Sequence, residues 1–374
     1  MVAERQLTQM VRDYPTDVEA WMLLGETQFG SNPYRGRSIQ EAGAAFRTVM
    51  SLDPRNREVT VYLMDLAAKA DRLGQLDTLY SMYFSPNSAG EQPGIRAAYT
   101  ALYQRRISGA TSRTVPNSLR DDPGVARVGL QRIGPDGRDR SAARTYANTL
   151  ASDPDTRAEG LRALATLDVA DGQWAAAVAR FRAAEVLDPS RGVDDRAFFA
   201  LAPSVTVTAD SLRALRDELL RRRVTPADVG SGLRHGEQQD MRDYLAGMLS
   251  IRINDATGLA GTLRALAARS SSESRLAAPL RAALTGHRLL RDGDAAGAAS
   301  AFEEALLDLP ARLRALHPVL GQHLDRLARA ESLRRSGRVA ESRDWYRALL
   351  EGPGVTGAPF AAAAAAGQGA TPAP

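Results

Sequence analysis

The sequence has no cysteine, a single lysine and few aromatic residues. Without cysteine, disulfides, thiolate metal ligands and thiol nucleophiles are all excluded. Aromatic residues make up 6% of the chain, which suits helices packed through alanine and leucine better than a sheet protein. Because Lys69 is the only lysine, the basic residues are almost all arginine, a bias that we attribute mainly to genomic base composition.

Long apolar runs are also missing. No stretch is long enough to span a bilayer, and the N-terminal residues lack the apolar core of a signal peptide. We therefore expect a cytoplasmic protein, or a periplasmic one if an upstream targeting segment is missing. The net charge of +4 does not by itself indicate nucleic-acid binding.

What the sequence does contain is a helical hairpin over residues 158–189. The first helix carries Leu164 and neighbouring apolar residues on one face, at the three-and-four spacing of an α-helix. Gly172 marks the turn, Phe181 and small alanines line one face of the second helix, and Pro189 ends it. Two helices alone cannot bury their outer faces, so the hairpin is expected to stack on copies of itself.

Copies of this pattern recur along the chain. The clearest are at 17–54, 124–154, 158–189 and 279–310, with weaker copies at 240–270, 323–353 and 57–84. The first copy contains Trp21-x-x-Leu-Gly25, Ala42-x-x-x-Phe46 and a terminal Pro54, and it resembles the tetratricopeptide repeat of about 34 residues. The resemblance implies an all-α solenoid of antiparallel helix hairpins, coiled into a superhelix with a concave binding groove.

Irregular stretches divide the predicted array. The expected organisation is tetratricopeptide-like repeats at 1–84, a helix and irregular linker at 85–123, repeats at 124–191, an irregular helical segment at 192–238, repeats at 239–358 and a disordered tail at 359–374. The solenoid is expected to bend or divide near 85–123 and 192–238. Residues 30–36 lengthen the turn of the first repeat and are a candidate contact point.

Residues with catalytic or metal-binding chemistry do not form a recognisable pattern. His317 and His323 are six residues apart, which places them on different helix faces, unlike a metalloprotease pair. Asp292-Gly293-Asp294 falls at a repeat turn without a calcium-loop pattern, and Gly230-Ser231-Gly232 lacks the lysine of a phosphate-binding loop. We therefore predict no catalytic residue, no metal site and no cofactor.

In the tetratricopeptide family, the fifth and ninth residues of the first helix of each repeat face the groove. The resemblance implies that the corresponding residues of this chain do the same. Those positions, with nearby arginines, are Met22, Glu26, Arg127, Gln131, Arg162, Thr166, Tyr244, Met248, His287, Arg291, Glu331, Arg334 and Arg335. Family members that hold chaperone carboxylates use lysine and asparagine there, whereas Met22 and Glu26 would repel a carboxylate. Apolar anchors such as Tyr244 and Met248, combined with charge, suit an extended or helical peptide.

The predicted function is a non-catalytic scaffold for protein–protein interaction. The repeats resemble the repeat regions that follow effector domains in bacterial signalling proteins. The partner and the oligomeric state stay open. One alternative is a nucleic-acid-associated regulator that uses the groove arginines, although arginine and aspartate are mixed along the same helices. A second is a repeat protein of cell-envelope assembly, which requires an export signal or lipid anchor upstream.

Overall fold

The computed structural model describes residues 2–83, 122–133, 140–189, 191–222, 224, 233–269, 274–309, 311–314, 317–352 and 354–369. Within these ranges every regular element is an α-helix or a 3-10 helix, and no strand is present. The predicted fold class, an all-α repeat solenoid built from helix hairpins, is confirmed. In the same ranges, no helix combines the length and the apolar character needed to cross a membrane.

The helices follow one another closely along the chain. They are α1 (Val2–Asp13), α2 (Val18–Ser31), α3 (Ala42–Leu52), α4 (Arg57–Lys69), α5 (Leu73–Tyr83), α6 (Pro123–Arg132), α7 (Arg140–Ser152), α8 (Arg157–Ala170), α9 (Trp174–Leu187), α10 (Gly192–Phe199), α11 (Ala209–Arg221), α12 (His235–Arg252), α13 (Ala256–Ala268), α14 (Ala277–Arg291), α15 (Ala295–Glu304), α16 (Ala311–Arg314), α17 (His323–Arg335), α18 (Val339–Glu351) and α19 (Ala358–Gly369). Short 3-10 helices lie at Asn32–Arg35, Ile39–Glu41, Pro318–Gly321 and Val355–Gly357. Short turns make neighbouring helices antiparallel, as in α8–α9, α14–α15 and α17–α18.

Local sequence signals set the helix ends. Gly172 adopts the left-handed conformation, with φ +74°, in the turn between α8 and α9. The side chain of Thr208 caps α11 by accepting a hydrogen bond from the backbone N–H of Ser211 at 3.3 Å. Asp294 caps α15 in the same way, through the N–H of Gly297 at 2.8 Å, which gives this aspartate a structural role.

Three hairpins share one packing device, in which a glycine on the first helix faces an aromatic ring on the second. The pairs are Gly25 with Phe46, Gly129 with Tyr146, and Gly286 with Phe302. A Cβ atom on any of these glycines would lie within 3.0 Å of the ring, closer than real Cβ contacts. The missing side chain therefore lets the two helices approach until the ring fills the gap, which explains the recurring glycine and aromatic of the repeat pattern.

We expect Gly286→Ala to destabilise the protein by about 1–3 kcal/mol, because the ring of Phe302 has to move away from the new methyl group. Gly261 is the matched control, since it lies inside α13 with no heavy atom within 4 Å of its Cβ position. Gly261→Ala should stabilise the protein by about 0.5–1 kcal/mol through helix propensity. Urea unfolding measures both changes; the same effect from both would show that the ring contact does not limit helix approach.

The segment expected to be irregular, 192–238, lies partly inside the core. Phe198 and Phe199 of α10 are buried and pack at right angles with ring centroids 5.1 Å apart. Phe199 also stacks on Phe181 of the preceding hairpin, at 5.3 Å. One hydrophobic cluster runs from Ala165 through α10 and α11 to α14 and beyond, so the core is continuous across this segment. Most of the predicted linker, residues 84–121, lies outside the described residues.

The prediction of a disordered tail from residue 359 is wrong. Residues 358–369 form α19, whose Phe360 and Ala364 are buried. Phe360 packs against Phe198 and lies stacked on His323, with centroids 5.9 Å and 5.5 Å away. Alanine has the highest helix propensity, and a face of small side chains lets α19 approach α18 and α8 closely. The alanine run is therefore a packing surface; residues 370–374 lie outside the described residues.

The first and last repeats touch along an interface that we call the seam, formed by residues 30–41 and 69 on one side and by the described residues of 308–354 on the other. The carboxylate of Glu351 accepts hydrogen bonds from the Ser38 hydroxyl at 2.8 Å and from the Ile39 N–H at 2.9 Å. The Lys69 ammonium donates to the carbonyl of Gly352 at 3.1 Å. In the lengthened turn at 30–36, the Gly30 carbonyl accepts a hydrogen bond from Arg314 at 3.0 Å, so this turn is a contact point within the chain and the two ends of the array meet.

Candidate partner-binding surface

The predicted groove residues of the first repeat lie together on one face of α2. Met22 and Glu26 are both half-buried, and Phe29 continues the same face one turn further on. Tyr62 of α4 completes the group, because its hydroxyl donates to the Glu26 carboxylate at 2.9 Å. We call Met22, Glu26, Phe29 and Tyr62 the N-terminal aromatic surface. The sequence prediction missed Phe29 and Tyr62 because it considered only the fifth and ninth helix positions.

Aromatic contacts hold this surface in place. The Tyr62 ring stacks on Phe46 at 4.7 Å and meets Phe29 edge-on at 5.3 Å. Burial raises the pKa of Tyr62, and the neighbouring Glu26 carboxylate raises it further, so the phenol stays protonated. Within the described part of the chain no cation pairs with Glu26, so its negative charge faces a neutral hydroxyl. The surface is therefore apolar with one unneutralised carboxylate.

The middle residues of the predicted groove are engaged within the chain. Arg127 forms an ion pair with Glu159 at 2.8 Å, but both side chains are exposed, and such pairs contribute little to stability. Gln131 is exposed beside it. Arg162 pairs with Asp188 at 2.7 Å and with a second carboxylate, while the buried Thr166 hydroxyl donates to the Arg162 carbonyl at 2.9 Å. Among these residues only Arg127 and Gln131 are open to solvent.

Tyr244 and Met248 do not line an open groove, which corrects the prediction for this pair. Tyr244 is 1% exposed and Met248 is 6% exposed, because α12 packs against α10, α11, α13 and α14. The Tyr244 hydroxyl donates to Asp325 at 2.5 Å, and burial raises the pKa of Tyr244. His287 lies 2.8 Å from the same carboxylate oxygen through its Nε2 atom. These three side chains form a buried polar contact between α12, α14 and α17.

The remaining predicted residues form local ion pairs. Arg291 is exposed and pairs with its neighbour Asp292 at 2.8 Å. Glu331 accepts hydrogen bonds from Arg334 at 2.7 Å and from Arg335 at 2.6 Å. Burial by itself would raise the pKa of Glu331, but the hydrogen bonds from these arginines and a tyrosine outweigh it and lower the pKa to about 2. The positive charge predicted at this end of the groove is therefore partly neutralised.

A buried polar cluster that the sequence did not predict lies near the centre of the molecule. The Asp194 carboxylate accepts hydrogen bonds from Gln238 Nε2 at 2.8 Å and from Arg242 Nε at 3.1 Å. His317 Nε2 lies 3.5 Å from the same carboxylate. No spacing signal links these residues, because they come from α10, α12 and the loop before the 3-10 helix at 318–321. All four side chains are buried, so the cluster holds elements together and offers no surface to a ligand.

Two histidines occupy structural positions. The His317 Nδ1 atom accepts a hydrogen bond from the Val319 N–H at 3.2 Å and caps the following 3-10 helix. His323 is stacked on Phe360, and burial together with the charge of Arg326 lowers the pKa of His323 to about 3, so this ring is neutral. Across the described ranges, no group of three or more histidine, aspartate or glutamate residues is arranged to hold a metal ion.

Comparison with known proteins identifies no relative of this chain. No known protein family matches the chain, and no curated protein matches it. The likeness to tetratricopeptide repeats therefore rests on the recurring sequence pattern alone.

Proposed function

We propose that this chain is a non-catalytic scaffold that binds a partner protein or peptide through the N-terminal aromatic surface. The observation that carries the proposal is a group of partly exposed apolar and aromatic side chains beside Glu26, a carboxylate with which no cation of the described residues forms an ion pair. Aromatic residues and methionine are enriched at interfaces, where they bury a large area and adapt to the partner. The other predicted groove positions support a partner less well, since most are buried or ion-paired.

The chemistry of the surface defines the partner. Met22, Phe29 and the Tyr62 ring favour one or two large apolar side chains, spaced as on a helix or along an extended peptide. Glu26 favours a neighbouring arginine or lysine, which would replace solvent at the carboxylate with a charge-assisted hydrogen bond. The proposed ligand is therefore a basic, amphipathic peptide segment.

The biological setting is proposed from the sequence pattern alone. Repeat arrays of this style resemble the interaction regions of bacterial signalling proteins, so we propose a role in recruiting a partner in signalling or regulation. The nucleic-acid alternative is less well supported, because Arg127, Arg162 and Arg334 each pair with a carboxylate of the chain.

Selection from a peptide display library tests the proposal without a known partner. We expect enrichment of sequences that combine an aromatic or leucine anchor with arginine or lysine. The double variant Met22→Ala and Phe29→Ala should then bind the selected peptides at least about tenfold more weakly, since truncating two interface anchors removes more than about 1.4 kcal/mol. Fluorescence anisotropy measures the affinities, and circular dichroism checks that helicity is kept.

The matched control is Val186→Ala with Leu220→Ala, which removes two exposed apolar side chains on α9 and α11. This control should bind the peptides as the wild type does. Glu26→Gln should weaken binding of the basic peptides while leaving purely apolar ones unaffected. Failure to enrich any peptide, or equal losses in the α2 variant and the control, would contradict the proposal.

A further inference from the structure

Four arginine side chains are buried in the described part of the chain: Arg196, Arg242, Arg314 and Arg326. The first two are neutralised by carboxylates. Arg196 pairs with Glu218 at 2.6 Å, and Arg242 pairs with Asp194 at 3.1 Å. Arg314 and Arg326 are 6% and 2% exposed, yet no carboxylate of the described residues forms an ion pair with either. The two buried arginines that lack a counter-ion are neighbours.

Both of these arginines lie against the ring of Tyr34 at the seam. The guanidinium carbon is 3.8 Å from the ring centroid for Arg314 and 5.0 Å for Arg326. Each also donates one hydrogen bond to a backbone carbonyl, Arg314 to Gly30 at 3.0 Å and Arg326 to Ala348 at 2.8 Å. The Nε atom of Arg326 is buried and has no hydrogen-bond partner. The direct contacts of both guanidinium groups are therefore with neutral groups, and the Arg326 Nε donor is unused.

The surrounding charges do not cancel this excess. Burial, together with the charge of Arg314 and against an opposing effect of Tyr34, lowers the pKa of Arg326 to about 10, and burial also lowers the pKa of Arg314, but both groups stay protonated at neutral pH. Arg35 adds a third positive charge, and its carboxylate partner is Glu4 at 2.8 Å. Asp308 lies 3.8 Å from Arg35 and its charge also raises the pKa of Arg314, but the Asp308 side chain is 82% exposed, so water screens its charge. The site has the electrostatics of an anion site.

We infer that Arg314 and Arg326 bind a free phosphate-sized oxyanion at the seam, beside Tyr34. Guanidinium groups present paired donors that match phosphate oxygens, and a phosphate dianion can neutralise two arginines, whereas a carboxylate neutralises one. Because both guanidiniums are buried, the site favours a small free ion over the phosphate group of a larger molecule. The ion would contact α16 and α17 next to the 3-10 helix at 32–35, so it would strengthen the seam.

Calorimetric titration of the wild-type protein with inorganic phosphate, in buffer of matched ionic strength, tests the inference directly. We expect binding of one ion per chain and a melting temperature that rises with phosphate concentration but not with added chloride. O-phosphoserine should bind at least about tenfold more weakly, since its larger body does not fit a buried site. Arg326→Met should reduce phosphate affinity at least about tenfold, and Arg314→Met should act in the same direction.

Arg343→Met is the control, because Arg343 is an exposed arginine on α18, and its phosphate response should match the wild type. Absence of a phosphate response in the wild-type protein would overturn the inference even if the methionine variants do not fold. Equal responses in Arg326→Met and Arg343→Met would also overturn it. Equal affinity for O-phosphoserine and phosphate would overturn the assignment to a free ion.

Discussion

Asp194→Ala is expected to destabilise the protein by about 3–5 kcal/mol, the range found when one partner of a buried ion pair is removed. Asp194 is fully buried and accepts hydrogen bonds from Arg242 and Gln238, with His317 nearby. Alanine would take the carboxylate away from a guanidinium that is 1% exposed. The loss should be large because the charge of Arg242 then remains in a region of low dielectric constant without that carboxylate.

The control for this variant is Asp210→Ala. Asp210 pairs with Arg213 on the surface of α11, where its side chain is 93% exposed. Surface pairs of this kind contribute about 0–1 kcal/mol, so Asp210→Ala should change stability only slightly. Urea unfolding at pH 7 compares the two free energies of unfolding. A loss below about 1 kcal/mol for Asp194→Ala would contradict a buried, dry ion pair.

Local pattern was enough to predict the hairpins. The spacing of apolar residues in 158–189 predicted α8 and α9, and Gly172 predicted the turn between them. Such signals work because they depend on contacts between residues three or four positions apart or across one tight turn. The recurring pairs of a glycine and an aromatic residue, such as Gly286 and Phe302, also account for how the two helices of such a hairpin pack against each other.

Contacts between distant parts of the chain could not be predicted in this way. The resemblance to tetratricopeptide repeats predicted that Tyr244 faces an open groove, but Asp325, 81 residues later, accepts its hydrogen bond inside the core. The alanine-rich segment after Phe360 was expected to be disordered because composition alone does not reveal the surface that α19 covers. A single sequence does not show which distant residues contact each other. The burial of a predicted groove residue such as Tyr244 can therefore be seen only in the structure.

The seam also joins residues far apart in the sequence, and a substitution there is expected to cause the second large loss of stability. Gly36 has φ +68°, and a Cβ atom there would lie 2.5 Å from Cε2 of Trp345. We expect Gly36→Ala to destabilise the protein by about 3 kcal/mol, combining about 1–2 kcal/mol for the left-handed backbone with about 1–3 kcal/mol for overpacking. Trp345 cannot move aside freely, because it is buried and Arg329 lies over its ring at 4.4 Å.

The variant Gly337→Ala separates the cost of the left-handed backbone from the cost of overpacking. Gly337 has φ +83° in the turn between α17 and α18, and no heavy atom lies within 4 Å of its Cβ position. Gly337→Ala should therefore show only the backbone cost, about 1–2 kcal/mol. Urea unfolding gives the difference between the variants, and hydrogen exchange locates it. The Ile39 N–H donates to the Glu351 carboxylate across the seam, so this amide is protected only while the first and last repeats stay together.

Exchange of the Ile39 amide should accelerate in Gly36→Ala and remain as in the wild type in Gly337→Ala. Amides inside single hairpins, such as those of α8 and α9, should be unaffected in both variants, because those contacts do not depend on the seam. Equal destabilisation by the two substitutions, with the Ile39 amide still protected, would mean that the Trp345 side chain moves aside while the first and last repeats stay in contact. The closure of the array would then depend on the hydrogen bonds of Glu351 and Lys69 more than on the packing of Trp345 against the first repeat.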